Sequence, residues 1–255
     1  MRIPLHASFL TTPLSHRGYH NRATRRPENS RAAFDAAIAA GYGIELDVQL
    51  SRDGQAMVFH DEALDRLTAA IGLLKDRPAA DLAEIKLHDC DESIPTLPEI
   101  LALIAGRVPV LIEIKDQTGT MGETDGRLER ATAQALAAYN GHAAVMSFNP
   151  HSIAHMARLA PKTARGLTTS AYGDDWQPLD PATRNRLREI PDYDRTQSGF
   201  LSHEAADLAR PRVAALKSQG AAILCWTIRS PLAEAAARKI ADNITFEGYA
   251  AAIPA

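Results

Sequence analysis

At 255 residues, with 45% hydrophobic and 23% charged residues, the chain has the composition of a globular protein and the length for one large domain with a full core. A formal net charge of -3 and the lack of a long basic patch exclude an electrostatic footprint for nucleic acid. No apolar run approaches the roughly 20 residues that span a bilayer, and the first residues lack the apolar core and cleavage site of a signal peptide. A soluble, cytoplasmic protein without stable membrane insertion is the expectation.

The first strand is expected at residues 14–18 and ends in His16, Arg17 and Gly18. A helix follows over 30–40, with Asn29 placed to cap it, Ala32, Ala33, Ala36, Ala37 and Ala40 of high helix propensity and Gly41 to stop it. The strand at 44–50 carries Glu45 and Asp47 inside an apolar run. A short strand pair around 56–60 leads into a long connection, 61–95, with a helical patch. Helices at 97–105, 127–138 and 150–159 then alternate with strands at 110–114, 144–148 and 165–167. Residues 169–198 read as a long loop with one helix at 181–189, and loops of that length in compact domains tend to be functional. Strands at 199–202, 222–228 and 243–246 alternate with helices at 203–219 and 231–241.

Eight strands alternating with helices imply parallel βαβ units. At this length they predict an α/β fold, a closed (β/α)8 TIM barrel in a single domain over 1–255, with a short insertion after the second strand. An open doubly wound sheet would bring a glycine-rich phosphate loop after the first strand, and His16-Arg17-Gly18-Tyr19-His20 is no GxGxxG. Cys90 and Cys225 have no metal-site spacing, and Cys225, inside the apolar run 221–226, reads as a buried small hydrophobe.

Four polar clusters close apolar runs: His16-Arg17-Gly18, Glu45-Leu46-Asp47, His60-Asp61 and Glu113-Ile114-Lys115. Residues two apart in a strand share a face. Helices cover the outer face of a barrel strand, so the apolar set turns outward, and Glu45, Asp47, Glu113 and Lys115 point into the mouth. Three converging carboxylates repel one another unless a positive charge lies between them. All-oxygen ligation suits one divalent cation, Mg²⁺ or Ca²⁺; the structural alternative is salt bridges to Arg17 and Lys115. An arginine fork suits phosphate. His16 and His60 are placed for proton transfer, the usual work of histidine near neutral pH. His6, His88, His142, His151 and His155 read as surface or loop residues, while His20 and His203, which follow barrel strands, stay open.

Beyond these clusters, the chain carries Pro27-Glu28-Asn29-Ser30, Asp53-Gly54, Val58-x-His60-Asp61, Leu64-x-Arg66-x-Thr68, Ile94-Pro95-Thr96-Leu97, Ser147-Phe148 and Trp226-Thr227. With them it resembles the glycerophosphodiester phosphodiesterase family over nearly its whole length. The resemblance implies Glu45, Asp47 and Glu113 as metal ligands, His16 and His60 as the general acid/base pair, and Arg17 and Lys115 as the phosphate grip. Asn29 and Asp61 would support or line the site, and Phe148 and Trp226 would form an apolar wall. The implied reaction is hydrolysis of a small-molecule glycerophosphodiester to an alcohol and sn-glycerol 3-phosphate, in lipid and glycerol metabolism. The same site could serve a lysophospholipase D-like activity, given an acyl groove built by 169–198 with Trp176. A catalytically silent phosphodiester-binding barrel is a third reading. The chain departs from the family pattern in its basic run at residues 21–26 and in Glu247, which stands where the family usually has an aspartate.

Overall fold

Short apolar runs and alanine-rich helices alternate in the computed structural model, which describes residues 1–254. The strands are β1 (Leu14–Ser15), β2 (Gly43–Leu50), β3 (Ala56–Val58), β4 (Val110–Ile114), β5 (Ala143–Ser147), β6 (Ala164–Thr169), β7 (Phe200–Glu204), β8 (Ala222–Ile228) and β9 (Asn243–Phe246). Eight of them run parallel in the order β1-β2-β4-β5-β6-β7-β8-β9, and β9 closes on β1. The expected TIM barrel is therefore present. β3 is the extra strand, antiparallel on β2 with Val48 opposite Val58.

The helices are α1 (Ser8–Thr11), α2 (Arg31–Ala39), α3 (Ala79–Leu82), α4 (Leu97–Ile104), α5 (Arg127–Ala137), α6 (Pro150–Leu159), α7 (Pro181–Arg188), α8 (Pro211–Ser218) and α9 (Pro231–Ala237). Among them no helix is long and apolar enough to cross a membrane. α4 starts with a capping box: the Thr96 hydroxyl accepts from Glu99 N, and the Glu99 carboxylate accepts from Thr96 N at 2.7 Å.

Strand alternation divides the core. Ile44, Leu46, Val48, Ile112, Ile114 and Ile223 turn outward and pack with Phe34, Ile100, Leu128 and Ile153 of the helices. Leu14, Leu111, Met146, Phe200 and Leu224 turn inward and, with Phe9 of α1, fill the interior toward the strand N-termini. Burying such a side chain is worth ~1.5–3 kcal/mol, so both layers hold the barrel. Gly166 makes room in the interior, because a Cβ there would stand 2.5 Å from the Phe200 ring. The interior is thus apolar at one end, leaving the charged residues at the other.

Three local expectations are corrected. β1 stops at Ser15 instead of residue 18, because Arg17 and Gly18 have φ of 55° and 78° and leave the extended region. Gly18 belongs there, since a Cβ would lie 2.9 Å from the Phe34 ring as well as meeting the positive φ. Ser30, not Asn29, caps α2 by accepting from Ala33 N. The expected helix at 203–219 begins only at Pro211, whose ring suits the first helical position and disfavours helix before it. His203 instead lies on β7, fully buried, between the Thr169 hydroxyl at 2.7 Å and Asp207 at 3.2 Å, where it ties a strand to its following turn.

Residues 61–95 fold back on β3 as a small cap over the mouth, with its own core of Met57, Phe59, Leu64, Leu67, Leu74 and Leu82. Cys90 and Cys225 are both free thiols, and Cys225 is buried as expected.

Candidate active site

β2 and β4 pair with Asp47 opposite Glu113, so strand register alone brings carboxylates of different strands side by side. Glu45, Asp47 and Glu113 are all buried, and each can offer an oxygen within 4.8 Å of the others. Lys115, one period further along β4, places Nζ 2.8 Å from Asp47 and 2.6 Å from Glu113. Arg17 Nε lies 3.4 Å from Asp47, and the Arg17 backbone N–H donates to Glu45 at 2.9 Å. The Asn29 side-chain amide donates to Asp47 Oδ2 at 2.9 Å. Its left-handed φ of 55° turns it away from the helix end and toward the carboxylate.

Glu45 and Asp47 fare differently. Burial and the charges of Asp47 and Glu113 push the Glu45 carboxyl well up, because its compensation is a backbone N–H and a more distant arginine. Burial acts on Asp47 in the same sense, but Lys115, His60 and Arg17 outweigh it and hold this carboxyl far below the ordinary range. Lys115 is raised: burial disfavours its charge, and Asp47 and Glu113 more than offset that.

Each candidate histidine is tied through Nδ1 to a carboxylate. His16 Nδ1 lies 2.5 Å from Glu247 Oε2, and His60 Nδ1 lies 2.7 Å from Asp61 Oδ1. Hydrogen bonds from His16 and His20 hold the Glu247 carboxyl far below the usual value, with Arg229 adding its charge. Asp61 is also held low, where bonds from His60 and Arg66 outweigh burial. Both acids are therefore ionised and accept only, so each histidine carries its proton on Nδ1 and leaves Nε2 free. Burial lowers His16 despite Glu247, favouring the neutral ring.

The two histidines belong to one ionic framework. Arg66 donates from Nε and Nη2 to Asp61 at 2.6 and 2.9 Å, and from Nη1 and Nη2 to Glu28 at 2.9 and 2.7 Å. Glu28 also accepts from Arg17 at 2.6 Å. The path His60–Asp61–Arg66–Glu28–Arg17–Asp47 thus runs from the cap to the floor of the mouth. Gln49, the next inward residue of β2, steadies the His60 carbonyl from its side-chain amide at 3.0 Å.

The opposite rim is aromatic. Phe148, just past β5, stands 5.5 Å from Trp226 of β8 and 4.8 Å from Trp176, and Trp176 lies 5.0 Å from Tyr172. The rings fill one another's edges: the cavity behind Phe148 and Tyr172 holds only about 10 Å³.

A model of the glycerophosphoryl diester phosphodiesterase family matches residues 16–245. The chain belongs to that family, and so to the phosphoric diester hydrolases. A glycerophosphodiester phosphodiesterase of Caldanaerobacter subterraneus is 37% identical over 169 residues, 62% of this chain and 66% of that protein. A probable glycerophosphodiester phosphodiesterase 1 of Mycobacterium tuberculosis is 32% identical over 243 residues, 84% of this chain and 81% of that protein. Among solved structures, an Oleispira antarctica phosphodiesterase in complex with its product sn-glycerol-3-phosphate matches with a TM-score of 0.74 at 26% identity, covering 94% of each chain. A Galdieria sulphuraria structure shares the fold, with a TM-score of 0.75 at 17% identity over 96% of this chain and 94% of its own.

The structure brings His16, Arg17, Glu45, Asp47, Glu113, Lys115, Asn29, His60 and Asp61 to one end of the barrel, with Phe148 and Trp226 across from them. Glu28, Gln49 and Arg66 had no role in the sequence reading. Period 2 from Glu45 and Asp47 reaches Gln49, so that residue was within reach. Glu28 and Arg66 lie 38 positions apart, and no periodicity links them.

Proposed function

We propose that the chain is a metal-dependent glycerophosphodiester phosphodiesterase, releasing an alcohol and sn-glycerol 3-phosphate by general acid/base catalysis. The observation that carries this reading is the pair of histidines, each tied through Nδ1 to a carboxylate at the mouth that holds the carboxylate cluster. The product bound to the Oleispira relative supports the substrate class.

The residues present fit a hard cation. Asp47 and Glu113 meet Lys115, and Asp47 also meets Arg17, whereas Glu45 is buried beside both acids with the Arg17 backbone N–H as its bonded partner. Glu45, Asp47 and Glu113 would hold Mg²⁺ or Ca²⁺ by oxygen alone. Such an ion, when bound, polarises a phosphoryl oxygen and acidifies an attacking hydroxyl.

The protein's own groups do the rest. Arg17 and Lys115 stabilise charge that develops on the phosphoryl oxygens, the term usually largest in such reactions. One histidine, neutral at Nε2, removes the proton from the nucleophile, water or the substrate's glycerol hydroxyl, as the new P–O bond forms; in the second case water then opens the resulting cyclic phosphodiester to give sn-glycerol 3-phosphate. The other, protonated at Nε2, supplies a proton to the leaving alkoxide as its P–O bond breaks. Glu247 and Asp61 hold the two rings in the required tautomer and orientation. Phe148 and Trp226 wall the pocket.

A lysolipid reading needs an acyl groove, and the close packing of Phe148, Tyr172 and Trp176 offers none. A silent barrel is disfavoured by the presence of the complete set of groups. His16→Ala and His60→Ala should each lower kcat on glycerophosphocholine ~10²–10⁴-fold, the usual contribution of general acid/base catalysis, and a chelator should abolish wild-type turnover until Mg²⁺ or Ca²⁺ is restored. Near-normal kcat in either variant, or turnover indifferent to chelation, sinks the reading.

A further inference from the structure

A second cavity of about 480 Å³ opens beside the ionic rim, lined by Tyr19, His20, Arg22, Arg26, Glu28 and Arg66 among others. It adjoins the proposed site through two carboxylates. Glu28 in its wall accepts from Arg17, and His20 Nε2 stands 3.5 Å from Glu247, which holds His16.

The basic run at residues 21–26 supplies one wall. Residues 21–26 fold into a tight loop closed by Asn21 and Arg26, with N–H to O distances of 2.8 and 3.1 Å. Two of its arginines fasten the loop to the cap: Arg22 reaches the Asp89 carboxylate at 3.0 Å, and Arg25 Nε donates to the Asp89 carbonyl at 2.9 Å. Arg26 does not. Its guanidinium lies over the Tyr19 ring, 5.6 Å from the centroid, and its Nε is buried without a hydrogen-bond partner among the described residues. His20 Nε2, by contrast, is buried facing the Glu247 carboxylate at 3.5 Å. Arg66 is fully engaged by Asp61 and Glu28, and Glu28 in turn by Arg17 and Arg66. Buried donors without acceptors are costly, and a charged donor that meets an anionic oxygen makes the strongest class of hydrogen bond. The cavity therefore offers an arginine to an anion, next to a site for a phosphodiester.

We propose that this cavity binds a phosphate carried by the alcohol arm of the substrate, so that the chain prefers glycerophosphodiesters whose head group bears a second anion. Arg26 is the specificity-determining residue. The inference rests on the phosphodiesterase reading above.

The test compares kcat/KM for glycerophosphoglycerol with that for the same compound phosphorylated on its distal glycerol, in wild type, Arg26→Gln and Arg26→Lys. The wild type should favour the phosphorylated substrate by about tenfold or more, as a charge-assisted hydrogen bond allows. Arg26→Gln should bring the ratio close to one, and Arg26→Lys should restore part of it. A wild-type ratio near one, or a ratio unchanged by Arg26→Gln, overturns the proposal, whatever either variant does to absolute rates. Inhibition of glycerophosphoglycerol hydrolysis by inorganic phosphate that Arg26→Gln relieves, alongside a wild-type ratio near one, would assign the cavity to a free anion instead. No turnover of either substrate by metal-loaded wild type would refute the parent reading, a result distinct from turnover without discrimination.

Discussion

The two rims of the barrel mouth are built on opposite principles. The rim over β1, β2 and β4 is ionic: its arginines, lysine and carboxylates hold one another at 2.6–2.9 Å, and each group's orientation depends on its neighbour. The rim over β5 and β8, with the loop that follows β6, is aromatic and packs by shape, ring against ring at 4.8–5.5 Å. Directional bonds fix the position of reacting atoms. Dispersion contacts fix volume and exclude water, with far less demand on angle. A single substitution should therefore damage chemistry on the first rim and stability or fit on the second.

The sharpest way to break that contrast is Arg66→Ala. Arg66 touches neither histidine, yet it holds Asp61 against His60 and Glu28 against Arg17. Loss of such an orienting partner typically costs ~10–100-fold, expected here in kcat, and Arg66→Lys should recover part of it. A kcat within twofold of wild type would show that the framework is ornament. A smaller effect is expected from Trp176→Ala. Removing this ring should lower the melting temperature by about 2–4 °C per kcal/mol lost, as for chains of this size, while kcat/KM on glycerophosphocholine stays within about threefold. A large kcat loss would give the aromatic rim a share of the chemistry.

The smallest effect is read from acid. Bonds and charges from Arg66 and Arg17 outweigh burial and bring the Glu28 carboxyl down to about 2, from an ordinary value of 4.5. A depressed carboxyl stabilises the fold fully above its unfolded value and loses that contribution as pH falls through the folded one. The melting-temperature gap between wild type and Glu28→Gln should thus be widest above pH 4.5 and narrow steadily toward pH 2. A gap constant over that range would mean that Glu28 acts by packing rather than by charge.

The same contrast explains what could be read from the chain. Strands and the ionic cluster were legible because Glu45, Asp47, Glu113 and Lys115 obey the period of a strand, and a charge in an apolar run announces itself. The cap of α2 was misplaced by one residue, since Asn29 and Ser30 are both good caps and only the position of Asp47 decides between them. The onset of α8 was read eight residues early because His203 belongs to a strand by its pairing with Thr169, which no local pattern reveals. The Glu28–Arg66–Asp61 link joins segments that meet only after the cap folds. The loop at 169–198 was recognised as long, but whether Trp176 opens a groove or closes one depends on packing against Phe148 and Tyr172. Glu247 was legible only as a departure from the family pattern, and its 2.5 Å contact with His16 depends on where the end of β9 sits beside β1.

The cap folded on β3 has its own small apolar core, and the Arg66 guanidinium ties its Asp61 to Glu28 of the barrel. Interchange of caps among relatives is therefore a question of fittings. A transplanted cap must bring its own Arg66 and Asp61 and find a glutamate at position 28 of the recipient. Modules that match in length but not in this connector would fold side by side and leave His60 without its partner's alignment.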